Sequence, residues 1–104
     1  MQVVPIQDIF NQEFQVVLAG QNCTINVYQL STGLFCDLYV AGVLVIAGVI
    51  CEDRNRIVRD LYLGFIGDLA FVDLQGESNP LSPGLGTRYV LIYLEASDLP
   101  AGQG

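Results

Sequence analysis

Short apolar runs recur about every ten residues along this chain, with turn-forming residues between them. The run at residues 22–30 shows the pattern most clearly, because Cys23, Ile25 and Val27 alternate with polar neighbours. This period of two is typical of a strand with one face toward solvent. No stretch has the length and periodicity of a convincing helix. The pattern therefore predicts a fold built from antiparallel β-hairpins.

The same pattern predicts strands over residues 13–19, 22–30, 34–40, 43–51, 67–74 and 88–95, and a short extended piece at 3–6. Segment 57–63 remains open between a strand and a short helical turn, because Arg59 and Asp60 interrupt it. We expect one all-β domain over residues 1–104, a small antiparallel β-barrel or sandwich of about seven strands. Residues 1–12 would form an arm or edge strand, and residues 97–104 a flexible Pro/Gly tail. The turns expected to define the fold contain Gly20, Gly42, Gly64, Gly67, Asp68, Gly76 and Gly86.

The chain is apolar for its length, with 52% hydrophobic and 14% charged residues among 104. A core of this size cannot hide so much apolar surface, so we expect some of it to face a partner. Segment 43–51 is apolar on both faces, which predicts that the fold or a neighbouring subunit covers both. The apolar run 38–50 is shorter than a membrane-spanning helix, and a hairpin with its turn at Gly42 is the better interpretation.

Five aromatic residues are candidates for an interface. Phe65, Phe71, Tyr89 and Tyr93 are most simply core residues, with interface anchoring as the alternative. Tyr39 alternates onto the outward side of its predicted strand and completes the candidate interface.

The charge balance excludes several classes of function. The net charge is −7, with eleven acidic residues, four arginines, and neither lysine nor histidine. Catalysis by an imidazole or a lysine amine is therefore excluded. Binding of nucleic acid or of an acidic membrane is not expected, since only Arg54, Arg56 and Arg59 approach a positive cluster. The mixed-sign run 52–56 is interpreted as a solvated loop, with a binding patch as the alternative.

Asp68 and Asp73 are the carboxylates that most suggest chemistry. Positions five apart in a strand face opposite sides, so the two cannot form an acid–base pair without a bulge. We expect Asp68 to accept backbone N–H groups in the turn after Gly67. For Asp73 we expect an ion pair with Arg88 or Arg59, or a cap at the end of the strand. The sequence thus predicts no enzyme and no cofactor.

The three cysteines, Cys23, Cys36 and Cys51, lie in apolar runs. They lack the C-x-x-C spacing and the histidines that zinc sites use, so we expect no metal. Residues 1–10 contain no positive side chain, and no signal segment is expected. We therefore expect buried, reduced thiols in a protein made in the cytosol.

Several motifs of this chain also occur together in a known family. They are Leu-x-Gly-Gln at residues 18–21, Arg-Asp-Leu-Tyr-Leu-Gly-Phe at 59–65, Gly-Asp-Leu-Ala-Phe-Val-Asp-Leu-Gln-Gly at 67–76, and Gly-Leu-Gly-Thr-Arg-Tyr at 84–89. In this order and spacing, from about Val3 to Glu95, the chain resembles the baseplate plug family of contractile-tailed bacteriophages. Leu74 stands where many members carry threonine, a departure that concerns local packing only.

The resemblance implies a small all-β structural protein of the virion. It would lie in the tail baseplate near the central hub and spike, after assembly in the host cytoplasm. Its partners would be other baseplate proteins (hub, spike, tube or wedge), in a symmetric multi-copy arrangement without nucleic acid or membrane. The alternative is a small-ligand-binding β-barrel with a pocket lined by Tyr62, Phe65, Phe71 and Tyr93. An enzyme built on paired carboxylates is the third hypothesis.

Overall fold

The computed structural model describes residues 2–59, 65–95 and 98. The strands are β1 (Gln2–Val4), β2 (Asn11–Leu18), β3 (Gln21–Leu30), β4 (Gly33–Val40), β5 (Val43–Ile50), β6 (Asp68–Asp73) and β7 (Tyr89–Leu94). They form two antiparallel sheets, with strand orders β2-β3-β4-β5 and β1-β7-β6. The all-β prediction is confirmed. Of the two predicted forms the fold is sandwich-like and not a closed barrel, because each sheet keeps its own edge strands.

The four-stranded sheet is a series of hairpins that the local sequence explains. The β2–β3 turn has φ of 50° at Ala19 and 75° at Gly20, and the β4–β5 turn has 51° at Ala41 and 79° at Gly42. Two successive positive φ angles are the type I′ geometry, whose twist matches that of the flanking strands. These short turns place each strand beside its neighbour in sequence.

The three-stranded sheet brings the two ends of the described chain together. β7 lies at its centre and pairs with β1 on one side and β6 on the other. The segment before β6 runs beside that strand through isolated bridges from Asp53 to Phe71 and from Arg56 to Ala70. Residues 60–63 of the ambiguous segment 57–63 and the predicted turn residue Gly64 lie outside the described residues. The predicted tail also lies outside them, except for Asp98.

The hydrophobic core lies between the inner faces of the two sheets. The four-stranded sheet contributes the alternating side chains that the sequence predicts, and the three-stranded sheet contributes Leu69, Phe71, Leu91 and Tyr93. The cysteines Cys23, Cys36 and Cys51 are buried and free, as predicted. Among the described residues, no helix is long and apolar enough to cross a membrane.

β5 shows where the fold does not cover the apolar sequence. Val45, Ile46 and Val49 pack partly against the core. Val43 and Leu44, however, are 68% and 51% exposed. The prediction that the fold itself covers both faces is therefore wrong, because Val43 and Leu44 point to opposite faces and the first residues of this edge strand are exposed on both. The other predicted alternative, coverage by a neighbouring subunit, stays a prediction.

Candidate interaction surface

The Asp68 carboxylate organises the loop before β6. Its Oδ1 accepts the N–H groups of Val58 at 2.8 Å and Leu69 at 2.7 Å, and its Oδ2 accepts that of Arg59 at 2.9 Å. The residue is fully buried. Four backbone donors in all, including that of Ile57, satisfy a charge that would otherwise be costly to bury. The predicted acceptor role is thus confirmed.

Asp73 combines the two roles predicted for it. The Nε and Nη2 atoms of Arg88 each donate to one of its oxygens at 2.9 Å. The N–H groups of Gln75 and Ser78 donate to the same carboxylate, which caps the end of β6. The Arg88 guanidinium beside Asp73 holds the pKa of that carboxyl well below its usual range. The turn residue Gly76 lies beside this ion pair.

The two carboxylates of β6 therefore both accept hydrogen bonds that stabilise the fold. Each has its own separate set of donors, consistent with the predicted placement on opposite faces. In the part of the chain that is described, no group of three or more Cys, Asp or Glu residues could hold a metal ion.

Asp8 is a structural residue that sequence reasoning missed. Its carboxylate accepts the Ser82 hydroxyl at 2.6 Å and the N–H groups of Gly84 at 2.9 Å and Leu85 at 3.3 Å. The hydrogen bond from Ser82, followed by that from Gly84, lowers the pKa of Asp8. These bonds tie the N-terminal arm to the long loop before β7, which also contains Gly86. Because these partners lie more than 70 residues from Asp8 in the sequence, no local pattern predicts the contact.

The structure places four of the five candidate interface aromatics inside the core. Phe65, Phe71, Tyr89 and Tyr93 are all buried, and the rings of Phe65 and Tyr93 meet edge to face at 5.8 Å. This placement matches the core alternative, and an interface role would require the core to open. Tyr39 is half-buried on the outer face of the four-stranded sheet, where its interface role stays a prediction.

The same burial removes the pocket on which the ligand-binding alternative depended. Phe65, Phe71 and Tyr93 fill the space between the sheets with their own rings. The hydroxyl of Tyr93 donates to the backbone oxygen of Ile66. Tyr62 lies outside the described residues. The described part of that lining is thus packed core.

The outer face of the four-stranded sheet is part polar and part apolar. Tyr28 stacks on Phe35 with ring centroids 6.0 Å apart, and Ile50 lies opposite Phe35 on β5. The Tyr28 hydroxyl donates to Asp37 at 3.0 Å. Burial, together with this hydrogen bond, raises the pKa of Tyr28. Next to this group Oδ1 of Asn26 is buried and has no hydrogen-bond partner among the described residues, which nothing in the structure explains.

A second apolar surface lies at the end of the sheet where β2 begins. Phe10 is 61% exposed, and its backbone oxygen accepts the N–H of Gln29, which sets it beside the end of β3. The side-chain oxygen of Gln29 in turn accepts the N–H of Ser82. Each of the three segments that these hydrogen bonds join carries exposed apolar side chains, and we call these side chains the end patch: Ile9, Phe10, Leu30 and Leu81.

Comparison with known proteins gives one family. Residues 1–96 match the model of a family described as the cyanophage baseplate Pam3 plug gp18. The match includes all seven strands of the described fold. A search of curated proteins finds none that matches the chain.

Proposed function

The chain belongs to the cyanophage baseplate plug family, and we propose that it is a non-enzymatic structural subunit of a contractile-tail baseplate. In this role it binds hub, spike, tube or wedge proteins and is present in several symmetry-related copies. It assembles in the host cytoplasm and is carried in the tail of the virion. The observation that carries the proposal is the family match over residues 1–96.

The distribution of apolar side chains supports a role within an assembly. The end patch and the edge strand β5 expose large hydrophobic side chains to solvent. Exposed apolar surfaces of this kind commonly mark sites of protein association. The buried acids Asp68 and Asp73 are occupied by structural partners, so they offer no competing catalytic role.

A cryo-EM map of the intact baseplate tests the proposal directly. We expect a seven-stranded sandwich of this topology in the tail baseplate, in contact with at least one hub, spike, tube or wedge protein. Absence of the chain from purified tails, by mass spectrometry and in the map, would contradict the assignment.

Light scattering of the isolated chain tests the multi-copy part of the proposal. We expect association that grows with concentration and weakens in Phe10→Ser, which removes the most exposed side chain of the end patch. Leu74→Ser, at a comparably exposed position on another part of the surface, is the matched control. A monodisperse monomer at every concentration would count against several copies in contact.

A further inference from the structure

β2 is a regular strand at the edge of its sheet, and among the described residues no strand pairs with its outer side. Its eight residues pair with β3 from Asn11–Tyr28 to Leu18–Gln21 without a register shift. The N–H of Gln29 donates to the backbone oxygen of Phe10. This bond shows that Phe10, and every second residue after it, directs its backbone groups toward β3. Because antiparallel bonds alternate, every second residue directs its N–H and C=O groups away from β3. These residues are Asn11, Glu13, Gln15 and Val17, all exposed.

The opposite edge of the same sheet is much less suited to pairing. β5 pairs with β4 through two register irregularities on either side of Leu38. Within β5, Gly48 has a φ of 66°, and its N–H donates to Asp37 at 2.7 Å. Bulges of this kind protect edge strands from added strands. Of the two edges, β2 is therefore the one prepared for strand addition.

A groove lies next to the β2 edge on the side of the sandwich interior. Its volume is about 420 Å³, and its lining is mixed, with Ile6, Ile9 and Phe14 on the apolar part and Gln7, Gln12 and Glu13 on the polar part. Reciprocal hydrogen bonds between Gln7 and Gln12 hold the arm that forms its far side. In strand addition, main-chain bonds give affinity, and pockets for alternate side chains give specificity. The apolar part of this groove, beside Phe14, offers a place for one apolar side chain of an added strand.

Charge indicates what the added strand should contain. Glu13 is exposed and also lines the groove, and β2 contains no basic residue. The whole chain carries a net charge of −7, so a second copy would bring the same acidic strand and further repulsion. Charge complementarity thus favours a different chain with a basic side chain opposite Glu13.

We propose that the β2 edge binds an extended segment of a neighbouring baseplate protein as a fifth strand of this sheet. One apolar side chain of the segment enters the groove beside Phe14, and a basic side chain at an adjacent position faces Glu13. The inference rests on the proposed function, which supplies the neighbouring protein. Its test uses the isolated chain, so that failure of strand addition and failure of the baseplate assignment are distinguishable.

The probe is a blocked heptapeptide of alternating valine and lysine, titrated into the full ¹⁵N-labelled chain. We expect shifted resonances and slowed hydrogen exchange for the amides of Glu13, Gln15 and Val17. The matched peptide of alternating valine and glutamate should bind at least about tenfold more weakly, because Glu13 repels it. Equal binding of the two peptides, or changes that avoid the β2 edge, would overturn the proposal.

Two variants make the test specific for this edge. Gln15→Pro removes an outward N–H without touching the β2–β3 bonds, and should weaken binding at least about tenfold. Leu44→Pro on the β5 edge should leave binding unchanged. Glu13→Lys should reverse the preference between the two peptides. This variant still tests the proposal if a proline variant does not fold. If the β2 amides become protected from hydrogen exchange as the protein concentration rises without peptide, a second copy is the occupant. That result would overturn the proposal.

Discussion

The Asp68 carboxylate accepts the backbone N–H of Val58 at 2.8 Å and thereby ties β6 to the loop that precedes it. The same oxygen accepts the N–H of Leu69, so one buried atom serves the loop and the strand together. No cation is needed to neutralise the charge at this position, because backbone donors surround it. The most suggestive acid of the sequence is therefore a structural residue.

Substitution of Asp68 should lower stability in a graded way. Asp68→Asn keeps one acceptor oxygen and should cost about 1–2 kcal/mol, because the partly buried N–H of Arg59 loses its acceptor. Asp68→Ala removes every acceptor and should cost about 3 kcal/mol or more. Urea unfolding followed by circular dichroism measures both. Glu13→Gln, at an exposed carboxylate, is the control, and equal midpoints for Asp68→Ala and this control would refute the assignment.

Gly67 should tolerate a methyl group far less well than Gly20. Both have a positive φ, of 90° and 75°, but only a Cβ at Gly67 meets other atoms, 2.6 Å from the Tyr93 hydroxyl and closer still to the Leu94 oxygen. Gly20→Ala should cost about 1 kcal/mol of backbone strain, or about 5 °C in Tm. Gly67→Ala adds a steric clash and should cost more than about 3 kcal/mol. Calorimetry compares the stabilities of the two variants. Similar losses of stability would mean that Gly67 is not closely packed.

The strands could be predicted from sequence because their determinants are local. The alternation at residues 22–30 predicts β3, observed as Gln21–Leu30. Period-two alternation and two-residue turns act over a few residues, so each hairpin can be read in isolation. The arrangement of hairpins into a sandwich could not be read in this way, since a barrel satisfies the same local pattern.

The surfaces of the molecule were harder to predict for the same reason. Tyr93 and Phe10 are both aromatic residues in or beside strands, yet Tyr93 is buried and Phe10 is exposed. Their environments depend on which sheet lies opposite, a property of the whole fold. The same holds for Asp8, whose partners lie at the far end of the chain. Exposed edges become visible only once the strand order is known.

Acid should weaken the fold through Asp73. Its pKa is lowered in the folded state, chiefly by Arg88, so folding favours the charged form. That stabilisation is complete above the unfolded value of about 3.9 and is lost as the pH falls below it toward the folded value. Asp73→Asn lacks the stabilisation at every pH. The urea midpoints of the wild type and Asp73→Asn should therefore differ most above about pH 5 and converge toward pH 2.

A control separates this ion pair from the general effect of charge. Glu77→Gln removes an exposed carboxylate from the loop that follows β6, without touching Arg88. It should follow the wild-type pH profile. If Asp73→Asn also ran parallel to the wild type from pH 7 to pH 2, the Arg88 contact would contribute no pH-dependent stability.

Removal of the Asp8 carboxylate should loosen one loop while leaving the sheets intact. In Asp8→Ala the N–H groups of Gly84 and Leu85 lose their acceptor, so their hydrogen exchange should accelerate at least about tenfold. Amides in β3 should exchange at nearly unchanged rates, because the hydrogen bonds of Asp8 go to residues of the loop and not to the backbone of that strand. Two-dimensional NMR measures both sets in one experiment. Uniform acceleration across the molecule would show that Asp8 supports global stability and not this loop alone.

The three thiols should be unreactive in the native protein. Cys23, Cys36 and Cys51 are all buried, and burial raises the pKa of the Cys23 thiol. A hydrogen bond with Cys51, together with burial, raises the pKa of Cys36 well above its usual range. Because only an accessible thiolate attacks a disulfide reagent, reaction should require opening of the sandwich. With an aromatic disulfide reagent at pH 8, each thiol should react at least about 100-fold more slowly than an engineered thiol in Val43→Cys. Denaturant should make all three reactive at once, whereas prompt reaction of one native thiol would place that cysteine outside the core.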